Sequence, residues 1–174
     1  VGIVATLRSW KGHRYLVEAV EGMPETVGLV MVGDGPQRDA LEVLVDRHHL
    51  RSRVWFANNQ RDVLPWLQAL DVFALPSYAN EGVPQALVQA MLAGLPCVTT
   101  HAGSIAEVAI ADKTALVVPP QDIEALRGAL SRLIADEALG KRLGAAARAH
   151  CSANYSYERL LERMEAIYRQ ASGR

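Results

Sequence analysis

Residues 75–100 read LPSYANEGVPQALVQAMLAGLPCVTT, and their punctuation spells strand end, loop, helix, turn and strand. Val83, Leu87, Ala90 and Met91 follow helical spacing. Pro84 suits the first turn of that helix, where a missing N–H would have no partner anyway. Gly94 suits a left-handed helix end, and Pro96 just beyond it prevents continuation. A loop carrying Glu81 and Gly82 precedes the helix. A helix N-terminus offers unpaired N–H groups and a positive dipole end, which attract an anion. A carboxylate beside such a site serves a ligand that also carries hydroxyls. A nucleotide-diphosphate sugar combines both.

The flanking sequence repeats the alternation. Apolar runs at Gly2–Leu7, Leu29–Val32, Val54–Ala57, Val72–Leu75, Cys97–Val98 and Ala115–Val118 read as six buried strands. Between them lie helical stretches over Lys11–Val20, Gln37–His49, a short one capped by Asp62 with Pro65 in its first turn, and Ile105–Val108. The strands are apolar throughout, which argues for a parallel sheet covered on both faces. The expected fold is a doubly wound, Rossmann-like α/β sheet in the order 3-2-1-4-5-6. After Pro119-Pro120 the pattern becomes helical. Asp122 caps a helix with the stripe Ile123, Leu126, Leu130, Leu133 and Ile134, and helices over 137–151 and 157–170 follow. Residues 1–174 thus form one domain, of which 121–174 is a helical C-terminal tail.

At 174 residues, half of them apolar, the chain has room for a full core. A formal net charge of −1 gives no electrostatic case for nucleic acid. No apolar run is long enough to span a bilayer. The chain enters its first strand at Val1 with no sign of a signal peptide, so a piece of a longer cytoplasmic protein is expected. Cys97 and Cys151 match no CxxC or zinc spacing and read as reduced, buried thiols. The five histidines show no ligand pattern, so no metal is expected.

Unusual residues gather after the strands: Arg8 and Lys11, then Gly33 to Pro36, Asn58 and Asn59, Ser77 to Glu81, and His101 to Ser104. Turns alone account for some Gly and Asn. Two basic residues, a carboxylate and a free helix N-terminus on one rim instead suggest a ligand crevice at the carboxyl ends of the strands. The loop after the first strand, TLRSWKG, lacks the dinucleotide GxGxxG, and no GxxxxGK[ST] loop occurs. No DxD occurs either, which argues against a diphosphate held through a divalent metal. Asp34 reads as a turn residue, His101 as either a cap or a pocket residue, and Trp10 and Trp66 as packing.

The order KG after the first strand, GDGP after the second, and PSxxxEGxPxxLxxAMxxGxP from the fourth resembles glycosyltransferase family 4. More narrowly, it is similar to the C-terminal, donor-binding half of these retaining enzymes of GT-B architecture, over Val1 to Tyr168. The resemblance implies that Lys11 holds the donor diphosphate. The family's arginine falls at Thr6, and Arg8 in the same loop is the candidate substitute. Glu81 matches the first glutamate of the EX7E motif, which contacts donor-sugar hydroxyls. Gln89 stands where the second glutamate binds ribose. Gly82, Val83 and Gln85 match the backbone that approaches sugar and phosphate, Gly33 lies beside the donor pocket, and Asn58 and Asn59 lie where the base is recognised. Eight residues of helix span roughly 12 Å, comparable to the reach from a hexose to ribose.

By this resemblance the chain is the donor half of a retaining, metal-independent, hexosyl-type transferase, with Lys11, Arg8 and Glu81 as its catalytic residues. The donor, a UDP-, GDP- or ADP-sugar, is a substrate, and no cofactor is needed. The fragment alone is expected to bind donor and transfer nothing. An N-terminal acceptor half is implied, onto which the terminal helix crosses back, and peripheral attachment to the inner face of the cell membrane through that half is compatible with the family. A GT-B nucleotide-sugar epimerase and a non-catalytic nucleotide-binding domain are the alternatives.

Overall fold

A computed structural model of the chain describes residues 1–173. The elements in order are β1 (Gly2–Val4), a 3-10 turn (Ser9–Lys11), α1 (His13–Glu21), β2 (Leu29–Val32), α2 (Arg38–Arg47), β3 (Val54–Phe56), α3 (Leu64–Gln68), β4 (Phe73–Leu75) and α4 (Gln85–Leu92). There follow β5 (Cys97–Thr99), α5 (Ile105–Val108), β6 (Leu116–Val117), α6 (Ile123–Ala135), α7 (Glu137–Asn154) and α8 (Tyr157–Ala171). The sheet has six parallel strands in the order β3-β2-β1-β4-β5-β6, the order expected from the sequence.

The strands are shorter than their apolar runs. β1 ends at Val4, although Leu7 is fully buried. Beyond Val4 the chain leaves the pleat to let Gly33 and Gly35 approach. A Cβ on Gly33, whose φ is +135°, would sit 2.1 Å from the Ala5 carbonyl oxygen, so only glycine fits.

Helices cover both faces. α6 packs on α1 and α7 on α4, so most of the helical segment over 121–174 lies against the sheet layer's helices. Leu126, Leu130 and Leu133 of α6 and Leu139, Leu143, Ala147 and Cys151 of α7 are buried. Asp122 caps α6 as expected, accepting from the Ala125 N–H at 2.9 Å, and Asp136 caps α7 in the same way. In contrast, α8 buries no residue, and Leu160, Leu161, Met164, Ile167 and Tyr168 are exposed along it. No helix among the described residues is long and apolar enough to cross a membrane.

Both thiols are free and buried. Burial pushes the Cys97 thiol well above its ordinary range and that of Cys151 up to about 11.

Two glycines separate the roles of space and entropy. A Cβ on Gly144 of α7 would lie 2.1 Å from the Gly94 carbonyl oxygen, whereas Gly128 of α6 has nothing within 4 Å. Gly144→Ala should therefore cost about 1–3 kcal/mol by overpacking. Gly128→Ala should gain roughly 0.5–1 kcal/mol from helix entropy. Urea titrations of the two variants give the signs directly.

Candidate functional site

The β1–β4 border is where the winding of the sheet reverses. From β1 the chain winds to one edge through β2 and β3, and from β4 to the opposite edge through β5 and β6. The loops that leave these two strands at their carboxyl ends therefore part, and the crevice of such folds lies between them. Here they are stitched together near their bases. Tyr78 N–H donates to the Trp10 carbonyl at 2.9 Å, and a Cβ on Gly12 would lie 2.0 Å from the Pro76 carbonyl oxygen.

Lys11 ends the 3-10 turn, and Gly12 at φ 79° separates it from α1, which starts at His13. The sequence reading placed Lys11 in the first turn of this helix. The left-handed glycine moves it outside, so the α1 dipole does not account for its position. Glu81 does. Lys11 Nζ lies 2.7 and 2.9 Å from the two Glu81 carboxylate oxygens. Ser77 Oγ donates to the Oε1 oxygen of Glu81 at 2.5 Å. The Glu81 side chain is only 4 % exposed, against 21 % for Lys11.

The backbone holds this cluster in place. Ser77 is fully buried and its carbonyl accepts from Thr100 Oγ1. Ser104 N–H donates to the Glu81 carbonyl at 3.0 Å. A Cβ on Gly103 would lie 2.0 Å from that same carbonyl oxygen. Glu81 is therefore pinned from both the β4 and β5 loops.

Pro84 is the residue before α4, with φ −75° and ψ 112°, not a first-turn residue. The helix begins at Gln85, and no side chain caps it. The unpaired first-turn amides are thus those from Gln85 onward, and they open beside Gly82 and Val83, both exposed. An uncapped N-terminus next to a Lys–Glu pair can take an anion on one side and hydroxyls on the other.

The remaining candidates spread along the same rim. Arg8 is exposed, its guanidinium 5.2 Å from the Trp10 ring centroid, and the ion pair to Glu81 among the described residues is made by Lys11. Gly33 N–H donates to the Asn58 carbonyl at 2.8 Å, and Asn58 adopts φ 56°. Asn59 is exposed. Gln89 faces outward on α4, where with Arg61, Asp62, Gln68 and Arg148 it lines a hollow of about 530 Å³. A hollow of similar size, about 540 Å³, lies at the amino ends of the strands beside Val1, Gly28 and Pro96, away from this rim. Asp34 serves its turn, accepting from the Gly35 N–H. His101 is exposed and does not cap α5, which starts after Ser104 with no side-chain cap. No group of three or more His, Cys, Asp or Glu among the described residues could hold a metal ion.

Two residues on this rim escaped the sequence reading. Arg38 stacks over Phe56 at 4.3 Å and donates to Asn58 Oδ1 at 2.7 Å. It is the first residue of α2, a cation where the helix dipole disfavours one; that conflict was visible in the sequence. His13 is 2 % exposed, and neither ring nitrogen has a hydrogen-bond partner. It stands at an apolar helix position, and nothing in its spacing marks it.

The comparisons with known proteins fit this geometry. The family model for Glycosyl transferases group 1 matches residues 1–136. The chain belongs to that family. Among curated relatives, the D-inositol 3-phosphate glycosyltransferase of Xylanimonas cellulosilytica is 32% identical over 170 residues, covering 94% of this chain and 40% of the relative. The structure of Anabaena HepE in complex with UDP-glucose superposes with a TM-score of 0.91 at 26% identity, over 99% of this chain and 48% of that one. The C-terminal domain of a group 1 protein, LpcC of Francisella tularensis, shares the fold, with a TM-score of 0.79 at 23% identity over 90% of this chain and 86% of that one. The Rossmann-like sheet is that of GT-B glycosyltransferases, and the chain spans less than half the length of the two longer relatives.

His13 gives a pH test of how the site is built. Burial, reinforced by the Lys11 ammonium, pulls its imidazole from 6.5 down to about 4, against the opposing effect of the nearby Arg8 backbone. The folded chain favours the neutral ring, so below pH 6.5 the unfolded chain binds the extra proton and stability falls as pH falls. From pH 7 to pH 5 the loss from this residue is about 2 kcal/mol. His13→Leu should remove that part of the acid slope in denaturant unfolding at the two pH values.

Proposed function

We propose that this chain is the donor-binding half of a retaining, hexosyl-type glycosyltransferase, which takes a nucleotide-diphosphate sugar without a metal. The observation that carries the reading is the Lys11–Glu81 pair beside the uncapped start of α4. Lys11 and the α4 amides meet the diphosphate, and Arg8, free at the mouth of the same loop, is near enough in the chain to join them. Charge that grows on the leaving diphosphate is then stabilised by an ammonium and a helix terminus, the work a divalent ion does in other transferases. Glu81 takes sugar hydroxyls and orients the anomeric carbon. It is no nucleophile in this reading, because its oxygens are already turned to Lys11 and Ser77.

The nucleoside lies toward Gly33, Asn58 and Asn59, with Gln89 and its hollow at the ribose end. Gln89 offers a neutral acceptor where a carboxylate would bind hydroxyls more strongly, roughly 0.5–1.5 against 1.5–3 kcal/mol per bond. UDP is the first nucleotide to try, since a relative of known structure holds UDP-glucose; GDP and ADP follow. The acceptor is bound by an N-terminal half, and the exposed stripe of α8 is the surface that meets it.

Millimolar UDP, GDP or ADP should raise the melting temperature of the chain by mass action. Absence of a shift with all three and with their sugar esters as well would remove the donor-site reading. Excess EDTA should leave the shift unchanged. Lys11→Ala should weaken nucleoside-diphosphate binding about tenfold or more, the scale of one lost charge-assisted bond, and leave nucleoside binding as it was.

The bare α8 face makes a further expectation. The isolated chain should self-associate at high concentration through that stripe. Replacing Leu160, Met164 and Ile167 by serine should return it to a monomer in light scattering. A strict monomer from the outset would count against the docking role of the helix.

A further inference from the structure

We infer that the Lys11–Glu81 pair makes the site favour an intact nucleotide sugar over the free nucleoside diphosphate. The inference rests on the donor-site reading above and concerns how its two halves are coupled.

The two members of the pair are held very differently. Glu81 is fixed: Ser77 holds its carboxylate, Ser104 holds its carbonyl, and its side chain is nearly sealed from water. Lys11 stands at the end of a one-turn segment, is more exposed, and has a flexible stem. Lysine is therefore the member that can turn to a ligand. Until it does, its charge is spent on a carboxylate 2.7 Å away.

A diphosphate arriving alone meets a pair with no net charge. To use Lys11 it must draw the ammonium from Glu81, which leaves a buried carboxylate with Ser77 as its one remaining donor among the described residues. An uncompensated buried charge is strongly unfavourable. Keeping Lys11 on both groups instead sets the diphosphate beside a like charge. A diphosphate that brings a sugar avoids both costs. Sugar hydroxyls donate to the Glu81 oxygens as the ammonium leaves them, so each charge keeps a partner. Once the sugar has been transferred, Glu81 reclaims Lys11, and the diphosphate left behind is held more weakly.

Calorimetric titration of the chain as it stands tests this, with UDP against UDP-glucose, ADP against ADP-glucose and GDP against GDP-mannose. The wild-type chain should prefer the sugar ester of its nucleotide by about tenfold or more. Glu81→Gln, which keeps the shape and removes the charge, should bind the free diphosphate about fivefold more tightly and the ester more weakly. Ser77→Ala leaves the carboxylate dependent on Lys11 alone, so it should move the preference the other way, toward the ester. In a Lys11→Ala background, Glu81→Gln should no longer tighten the free diphosphate. Melting curves of each variant show that it is folded. Opposite shifts from Glu81→Gln and Ser77→Ala, abolished without Lys11, are a pattern that general damage does not produce. If nucleotides bind but Glu81→Gln weakens both ligands equally, or tightens the diphosphate even without Lys11, the coupling is wrong and the donor site stands. If none of the six ligands binds the folded wild-type chain, the donor-site reading fails and this inference with it.

Discussion

The site depends on the thinnest seam in the sheet. β1 and β4 are joined by the single register pair Gly2–Phe73, continued by the Gly2 N–H donating to the Val72 carbonyl at 2.9 Å. Two windings of opposite direction meet there, and the loops beyond must separate. Left to themselves, separating loops would open a water-filled cleft with no fixed chemistry. The close backbone approaches at Gly12 and Gly103 and the buried Ser77–Thr100 contact prevent that. They leave one charged pair at the seam, Lys11 on the β1 side and Glu81 on the β4 side. Sheet topology decides where the crevice is, and glycine contacts decide how narrow it is.

The sequence made the layer plan plain because parallel strands covered on both faces have no polar alternation to confuse the reading. The strand order and the Asp122 cap of α6 have the same origin in local pattern. Element ends were less legible. Val4 ends β1 and Lys11 falls outside α1 because of backbone approaches from Gly33 and Pro76, which are distant in the chain. For the same reason the sequence could place Lys11 and Glu81 on one rim and yet could not show that they touch, since 70 residues separate them.

The residues that escaped notice show two kinds of blindness. Arg38 broke an electrostatic rule at the start of α2, so its link to Asn58 had a local signal that could have been used. His13 broke none, because an imidazole can fill an apolar position while its unpaired nitrogens tell only in three dimensions. Helix α8 is the reverse case. Its apolar stripe was evident in the sequence, and the structure adds that none of the described residues buries it.

The two buried thiols give the molecule a practical property. Cys97 lies within β5, and Cys151 sits against Met91 between α7 and α4. Burial keeps both in the unreactive thiol form. To an aqueous maleimide or disulfide reagent the folded chain is therefore silent. A cysteine placed at an exposed rim position such as Val83 or Asn59 could carry a dye or spin label without competing background. The natural thiols would react only when the sheet and its covering helices come apart, which makes them a built-in clock for unfolding.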